Sequence, residues 1–209
     1  IERLDARGIA PDCSPAKVAG SLMAARMWLS HNIGFWQDYT DRRLAEVGEN
    51  AMEAPHRGPG MGSESIAYST GFFSLSDDEC MVVSMRVPQA PYWAIQLYSR
   101  GWYESLDVTR RRTSLNNTQT VVDDDGVVRW VISTRDPGCA NWLDAGGHPA
   151  GMIHFRAVWC DELPEVASEV VPLSRLGDVL PSSHPKADFD DRLADLRVRR
   201  ATSRRRFAR

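Results

Sequence analysis

The chain lacks any apolar run of the roughly 18 residues that a transmembrane helix needs. It also lacks the charged and apolar regions of a signal peptide at its start, where the first residue is Ile1 rather than Met. The start therefore indicates that the chain was trimmed or that its beginning is missing. We expect a cytoplasmic protein with no membrane partner.

Cysteine and histidine patterns typical of metal sites are absent as well. The four cysteines are scattered, with no C-x-x-C pair, and the five histidines fall in different predicted elements. Metal ligands usually show local spacing in the sequence. We therefore expect free thiols in a reducing compartment, a disulfide only if the chain is exported, and neither a bound metal nor a cofactor.

The motifs of several enzyme classes are also missing. The sequence has no P-loop, no G-x-G-x-x-G after a strand, no H-E-x-x-H and no G-x-S-x-G. Standard nucleotide-dependent chemistry is therefore not expected. Whether the protein is an enzyme stays open at this point.

The chain does have an ordinary globular composition, with 43% hydrophobic residues, 25% charged residues and seven tryptophans. A length of 209 residues favours one domain that buries a full core. The net charge of −3 is uneven, because residues 192–209 carry +7 and the rest therefore carries −10. An acidic body repels phosphates, so nucleic-acid binding is not expected. We expect the basic tail to be a solvated helix end, or to dock on an acidic surface of another subunit.

A long amphipathic helix is predicted within residues 1–49, after an irregular lead-in over residues 1–13. Ser14 and Pro15 are typical of a helix cap and a first helical position, and Gly48 marks the end. Such a helix is about 45 Å long, more than a small domain covers, so we expect part of it to pack on a neighbouring subunit. Its apolar residues recur at spacings close to three and four and share one stripe: Val18, Leu22, Ala25, Leu29, Ile33, Trp36, Tyr39 and Leu44.

The region after this helix is predicted to be mainly β. Residues 50–65 are rich in proline and glycine and predict a linker loop, and residues 66–165 alternate in hydrophobicity between turn signals. Many short strands without helices between them favour an antiparallel β-sandwich of jelly-roll type. The predicted strands are 66–75, 80–87, 92–98, 118–122, 127–133 and 151–159, with a hairpin at 121–128. Residues 166–209 are predicted to be a C-terminal extension with a basic helix that starts at residues 182–185.

Five segments of this region carry a family resemblance. They are residues 92–98, residues 115–117, Asp125-Gly126, residues 133–138 with Asn141-Trp142-Leu143, and Gly151 with Phe155-Arg156. Together they resemble the DUF1214 family of uncharacterised proteins, over about the middle half of the chain. The resemblance implies a jelly-roll β-sandwich, and no activity is established for the family. Its members often carry a preceding DUF1254 domain, where this chain has a helix. We therefore expect helices or another subunit to meet the surface that this domain covers elsewhere.

The first group of candidate site residues follows the strand that ends at Tyr98. Trp102 and Tyr103 can stack on a sugar or another planar ligand, while Arg100 and Glu104 orient its polar groups. The alternative is a sheet corner whose aromatic side chains belong to the core.

The second group lies in and around the loop after the strand at 127–133. Asp136, Asn141, Trp142 and Asp144 are predicted either to line a pocket mouth with Arg156 or to tie the loop to its own backbone. Asn116 is predicted either to be a turn residue or to bind a ligand through its amide. His154 shares a strand face with Arg156, and its alternative is a histidine hydrogen-bonded within the sandwich.

We therefore expect a β-sandwich that binds a small molecule, a carbohydrate or another polar metabolite, in a homo-oligomer held by its terminal helices. An alternative is a hydrolase or lyase with Glu104 or Asp136 as general base and His154 or Arg156 stabilising negative charge. A second alternative is a structural assembly domain, which predicts no polar-lined pocket. The expected ligand contacts are Arg100, Trp102, Tyr103, Asn116, Asn141, Trp142 and Asp144.

Overall fold

The computed structural model describes residues 13–58 and 63–207, so the lead-in predicted for residues 1–13 lies outside the described residues except for Cys13. Within these ranges the chain forms two long helices and nine strands. Their bounds are α1 Pro15–Val47, β1 Ala51–Met52, β2 Ile66–Ser74, β3 Glu79–Arg86, β4 Tyr92–Ser99, β5 Ser114–Asn116, β6 Val127–Ser133, β7 Trp142–Asp144, β8 Ala150–Val158, β9 Val166–Pro172 and α2 Phe189–Phe207, with a 3-10 helix at Leu173–Asp178 before α2.

The strands form two sheets that pack face to face. The first is antiparallel, in the order β1-β2-β8-β4-β5, and the second is mixed, in the order β7-β6-β3-β9. Inward side chains of both sheets form one core, in which the rings of Trp93 and Phe155 lie 5.9 and 6.0 Å from the ring of Trp130. This arrangement agrees with the alternation of apolar and polar residues in the sequence, because strand side chains alternate with period two. The mainly β fold is thus confirmed.

Helix α1 begins and ends where the sequence predicts. The Ser14 hydroxyl accepts a hydrogen bond from the Lys17 backbone N–H, Pro15 takes the first helical position, and Gly48 ends the helix with a φ of 88°. The C-terminal half of α1 packs on the outer face of the five-stranded sheet, which is the face directed away from the other sheet. Tyr39, Leu44 and Val47 of the helix contact Phe72, Tyr98 and Met152 there.

The strand predicted at 118–122 is wrong. The strand in this part of the chain is β5, which pairs with β4, and residues 117–119 form a turn. The Asn116 carboxamide oxygen accepts hydrogen bonds from the Thr118 backbone N–H at 3.1 Å and the Thr118 hydroxyl at 2.8 Å. Such local hydrogen bonds favour a turn over the hydrogen-bond ladder of paired β-strands. The hairpin predicted at 121–128 is also wrong, since a turn between Asp123 and Gly126 leads into β6 alone.

Three strands were not predicted from the sequence. Strand β1 falls in the predicted linker and pairs with β2, β7 falls in the loop after β6 and pairs in parallel with β6, and β9 pairs with β3. Each lies at the edge of its sheet and pairs with one neighbouring strand. That pairing determines its conformation, so its own sequence needs little alternation of apolar and polar residues. The two sheets consequently extend beyond residues 66–165 on both sides.

Helix α2 starts at Phe189, so its predicted start at residues 182–185 is wrong. The Asp188 carboxylate accepts hydrogen bonds from the backbone N–H groups of Asp190 at 2.9 Å and Asp191 at 3.1 Å. The Asp191 carboxylate in turn accepts from the Asp188 N–H at 3.0 Å. This reciprocal pair satisfies the free donors of the first turn as a capping box does.

Two arginines of the basic helix α2 dock on the protein's own sheets. Arg192 donates to the Asp136 carboxylate at 3.0 and 2.9 Å, and its guanidinium lies 5.1 Å from the ring centre of Trp142. Arg199 donates to the Ser114 carbonyl at 2.7 Å. Part of the basic tail therefore binds a carboxylate and a backbone carbonyl group of the same chain. Among the described helices, none is long and apolar enough to cross a bilayer.

Candidate functional site

The outer face of the five-stranded sheet carries four rows of side chains across β2, β8 and β4. In the first two rows the side chains on β2 and β8 are buried, under α1 and the loop that follows β4. The side chains of the last two rows are partly or largely exposed. The rows are Phe72–Met152–Tyr98, Thr70–His154–Gln96, Tyr68–Arg156–Ala94 and Ile66–Val158–Tyr92.

His154 lies at the boundary between the covered and the open rows, with only 7% of its surface exposed. Its Nε2 atom is 3.1 Å from the Thr70 hydroxyl and also forms a hydrogen bond with the Tyr103 hydroxyl. Its Nδ1 atom is buried and has no hydrogen-bond partner among the described residues. Burial, together with the positive charge of Arg156, lowers the pKa of the imidazole to about 3. The ring is therefore neutral at physiological pH.

Tyr103 is held above His154 by the loop after β4. Its φ of 55° is in the left-handed region, and Gly101 before it has a φ of 95°. A residue with a Cβ pays about 1–2 kcal/mol for that conformation, so the surrounding contacts must hold it. The ring stacks on Tyr98 at 4.9 Å and on Trp36 at 5.2 Å. Burial raises the pKa of the hydroxyl, with Arg156 acting in the opposite direction, so the hydroxyl stays protonated.

An ion pair closes the covered side of the site. The Glu53 carboxylate accepts a hydrogen bond from the Thr70 backbone N–H at 2.7 Å and pairs with Arg43 of α1, which also pairs with Glu46. Burial alone would raise the pKa of Glu53, but the hydrogen bonds from Thr70 and Arg43 outweigh it and lower that pKa. The charge of Arg43 is thus compensated within the protein.

Arg156 differs from Arg43 in this respect. It is half-buried, and its guanidinium hydrogen-bonds to Tyr103. Within the described ranges no carboxylate forms an ion pair with it. The site therefore combines an uncompensated cation, a neutral buried imidazole with a free ring nitrogen, and a protonated phenol.

The structure brings together three of the residues predicted from sequence, which are Tyr103, His154 and Arg156. Their neighbours in the first predicted group lie at the rim of the same loop. Arg100 pairs with Glu49 at 3.0 Å, Trp102 is 50% exposed, and Glu104 is exposed. Sequence reasoning missed Thr70, Glu53 and Arg43, because only strand register and helix packing place these residues beside His154.

The second predicted group does not join His154. Asp136 binds Arg192, and Asp144 binds Arg111 at 3.1 Å and the Gly146 N–H at 2.7 Å. The remaining members use their polar atoms in local bonds. Asn141 exchanges two bonds with the Val121 backbone at 2.8 and 2.7 Å, Trp142 donates to the Ser133 carbonyl at 3.4 Å, and Asn116 caps the turn described above. These groups tie loops and α2 to the mixed sheet.

A second buried histidine lies in this part of the molecule. His184 has Nδ1 2.7 Å from the Asp123 carboxylate and Nε2 3.3 Å from the Ala140 carbonyl oxygen. The other carboxylate oxygen of Asp123 is 2.7 Å from Arg129. Both ring nitrogens of His184 therefore face oxygen atoms of the protein. Sequence reasoning also missed this pair, whose members are 61 positions apart.

No other part of the described residues adds to this site. In the described residues there is no group of three or more His, Cys, Asp or Glu side chains arranged to hold a metal ion. A groove of about 570 Å³ lies between the end of β3 and residues 162–167. It is lined by Arg86, Glu162 and Glu165 among others, and by no residue of the His154 site.

Comparison with known proteins supports the fold and names no activity. No family model and no curated protein matches the chain. The crystal structure of an uncharacterised protein from Burkholderia cenocepacia is similar, with a TM-score of 0.70 and 29% identity over 84% of this chain and 49% of that chain. The VPA0106 protein from Vibrio parahaemolyticus has a TM-score of 0.40 and 19% identity over 49% of this chain and 30% of that one. The chain thus spans about half the length of the Burkholderia protein.

Proposed function

We propose that the domain binds a small polar metabolite with an anionic group at Tyr103, His154 and Arg156. The observation that carries the proposal is the Nδ1 atom of His154, a polar atom that is buried and unpartnered. Leaving such an atom without a partner costs about 1–3 kcal/mol. A ligand group that reaches it recovers this cost.

The protonation states around His154 favour an anionic ligand. The Tyr103 hydroxyl stays protonated and accepts a hydrogen bond from Arg156, so we assign it as the donor to Nε2, which leaves the single proton of the neutral imidazole on Nδ1. Nδ1 is then a donor that lacks an acceptor. A carboxylate placed between this donor and the guanidinium of Arg156 accepts from both, and such charge-assisted bonds are the stronger class.

The surroundings of Arg156 are suited to a carbohydrate or a similar compound. The side chains in the rows beyond His154 are partly exposed, and Trp102, whose ring is 50% exposed, directly precedes Tyr103 in the loop after β4. Aromatic rings stack on the apolar faces of sugars. A sugar acid meets both requirements. Membership of the DUF1214 family, jelly-roll connectivity and a cytoplasmic location are further parts of this proposal.

The geometry gives less support to a hydrolase or lyase. Asp136 is held by Arg192, and Glu104 makes no hydrogen bond with His154 through its carboxylate in the described residues. A general base must come within about 3 Å of the proton that it removes. Neither carboxylate is therefore positioned to act with His154, and binding ranks first.

A thermal-shift screen tests the proposal. Purified protein is heated with sugar acids, neutral sugars and small carboxylates at millimolar concentration. A ligand at about 100 times its Kd stabilises the native state by about 2.7 kcal/mol, which raises Tm by about 5–10 °C in a domain of this size. We expect sugar acids to raise Tm and their neutral counterparts to leave it unchanged.

Variants locate any ligand that the screen finds. Arg156→Met should abolish the shift, whereas Arg135→Met, which removes an exposed arginine after β6, should preserve it. A shift that survives in Arg156→Met would place the ligand elsewhere. A screen in which no anionic compound raises Tm would contradict the proposal and favour the assembly role.

A further inference from the structure

The N-terminal part of α1 extends away from the sheets with its apolar side chains uncovered. Residues 15–33, called here the α1 overhang, are about 28 Å long. Seven large apolar side chains on it are between 43% and 66% exposed: Val18, Leu22, Met23, Met27, Trp28, Leu29 and Ile33. Contiguous exposed apolar surface of this kind usually marks an interaction site.

The overhang continues the stripe by which α1 already binds a sheet. Val18, Leu22 and Leu29 fall on the same side of the helix as Trp36 and Thr40, at about 100° per residue. Trp36 stacks on Tyr103, and Thr40 is buried against Met152. The exposed stripe is thus one half of a continuous apolar surface of α1, and its other half packs on the sheet.

The same chain also carries a sheet surface that lacks a helix. The open rows, defined as the last two rows of the outer face, contain Ile66, Tyr68, Tyr92, Ala94, Arg156 and Val158. They are partly exposed, and Tyr92 is 45% exposed, whereas the inward neighbours on the same strands are buried. Two rows across three strands measure roughly 13 by 15 Å, which one helix of about 10 Å diameter covers.

The overhang cannot cover the open rows of its own sheet. Helix α1 is unbroken from Pro15 to Val47, including Gly34, so its first half is directed away from the sheet that its second half contacts. We propose that two copies of the chain pair reciprocally, with the α1 overhang of each docked on the open rows of the other. One two-fold arrangement then buries both unfilled surfaces in both copies.

The size of the two surfaces agrees with a second copy as the occupant. Burying one fully exposed aliphatic side chain removes about 60–120 Å² from water. Val18, Leu22, Leu29 and Ile33 are 43–66% exposed and the six row side chains are mostly partly exposed, so both copies together bury roughly 1,000 Å², about the smallest area of a specific interface. Residues 13–37 contain no acidic residue, so docking of the overhang buries no carboxylate. The docked helix would cover the row that contains Arg156 and would compete with a ligand there, and the pairing itself does not depend on a ligand.

Light scattering coupled to size exclusion measures the pairing directly. The chain of 23.4 kDa should elute at about twice that mass at tens of micromolar. Leu22→Glu with Leu29→Glu should give a monomer with unchanged circular dichroism. The matched control, Ala24→Glu with His31→Glu, adds the same charges on the opposite side of the overhang and should stay dimeric.

A mixing experiment separates reciprocal docking from pairing between overhangs. Val158→Glu in the open rows should also give a monomer. This variant is then mixed with the Leu22→Glu, Leu29→Glu variant. The Val158→Glu copy supplies an intact overhang and the other copy supplies intact open rows, so a weaker dimer should reappear. A monomeric wild type, a dimer that survives Leu22→Glu with Leu29→Glu, or no recovery on mixing would overturn the proposal. A monomeric wild type would assign both surfaces to another domain or protein.

Discussion

The two buried histidines of this domain differ in how their ring nitrogens are hydrogen-bonded. His184 is 8% exposed and His154 is 7% exposed, so burial does not distinguish them. His184 has an oxygen atom at each ring nitrogen, whereas His154 has both of its partners at Nε2 and, within the described residues, none at Nδ1. A buried polar group with a structural role typically makes all of its hydrogen bonds. A buried polar group that lacks a hydrogen-bond partner requires an explanation.

The charged groups near the two rings differ in the same way. Asp123 beside His184 is paired with both the histidine and Arg129, which closes the cluster. Among the described residues, Arg156 beside His154 has a hydrogen bond with Tyr103 and no carboxylate partner. The first cluster joins the segment before α2 to the mixed sheet, and the second opens toward the uncovered rows. Polar burial therefore stabilises the fold in the first cluster, and we propose that it prepares a binding site in the second.

The largest effect is expected from breaking the closed cluster. Asp123→Ala leaves His184 and Arg129 without their shared carboxylate in a buried setting, which costs about 3–5 kcal/mol. Urea unfolding followed by tryptophan fluorescence measures the loss. Asp124→Ala is the matched control, because its exposed side chain should change the free energy of unfolding by less than about 0.5 kcal/mol. Equal losses in the two variants would show that the cluster is not structural.

An intermediate effect is expected at His154, and it depends on pH. The folded pKa of about 3 lies below the unfolded value of about 6.5, so only the unfolded chain takes up this proton between these values. Stability from His154 is then fully present above pH 6.5 and is lost as the pH falls, by about 1.4 kcal/mol per unit at most. Wild type should lose about 1–2 kcal/mol more than His154→Gln between pH 7 and pH 5.

Chemical denaturation at those two pH values checks this prediction above the range in which most carboxylates titrate. His148→Gln, which replaces an exposed histidine, is the control and should follow the wild type. If His154→Gln kept the wild-type pH dependence, the ring would not be buried as a neutral imidazole.

The smallest effect on stability is expected at Arg156. Its side chain is half-buried and has no carboxylate partner in the described residues, so Arg156→Met should change the free energy of unfolding by less than about 1 kcal/mol. Urea unfolding at pH 7 measures the change. A loss as large as that of Asp123→Ala would make Arg156 a structural residue and remove the contrast between the clusters.

Strong local patterns allowed much of the fold to be predicted from the sequence. The cap at Ser14-Pro15 and the regular stripe located α1, and period-two alternation located β2, β3, β4, β6 and β8. The short edge strands β1, β5, β7 and β9 were missed or misplaced. Their conformation depends on pairing with a neighbour, and their own residues carry little periodicity.

The site was predictable only in part, for a related reason. Tyr103, His154 and Arg156 were identifiable as aromatic and charged residues on or after strands. Thr70 reaches His154 through the register of β2 and β8, and Arg43 reaches Glu53 through the packing of α1. Neither contact leaves a local pattern. Asp136, Asn141 and Asp144 were chosen because they cluster in sequence, but α2 and neighbouring loops occupy their polar atoms.

Nitrogen NMR of protein labelled at its histidines tests the central contrast most directly. The spectrum is recorded without and with the anionic compound that raises Tm most in the screen. We predict that the Nδ1 resonance of His154 shifts on binding while both resonances of His184 stay in place. A ligand that binds at saturation and leaves the His154 resonances unchanged would contradict the account.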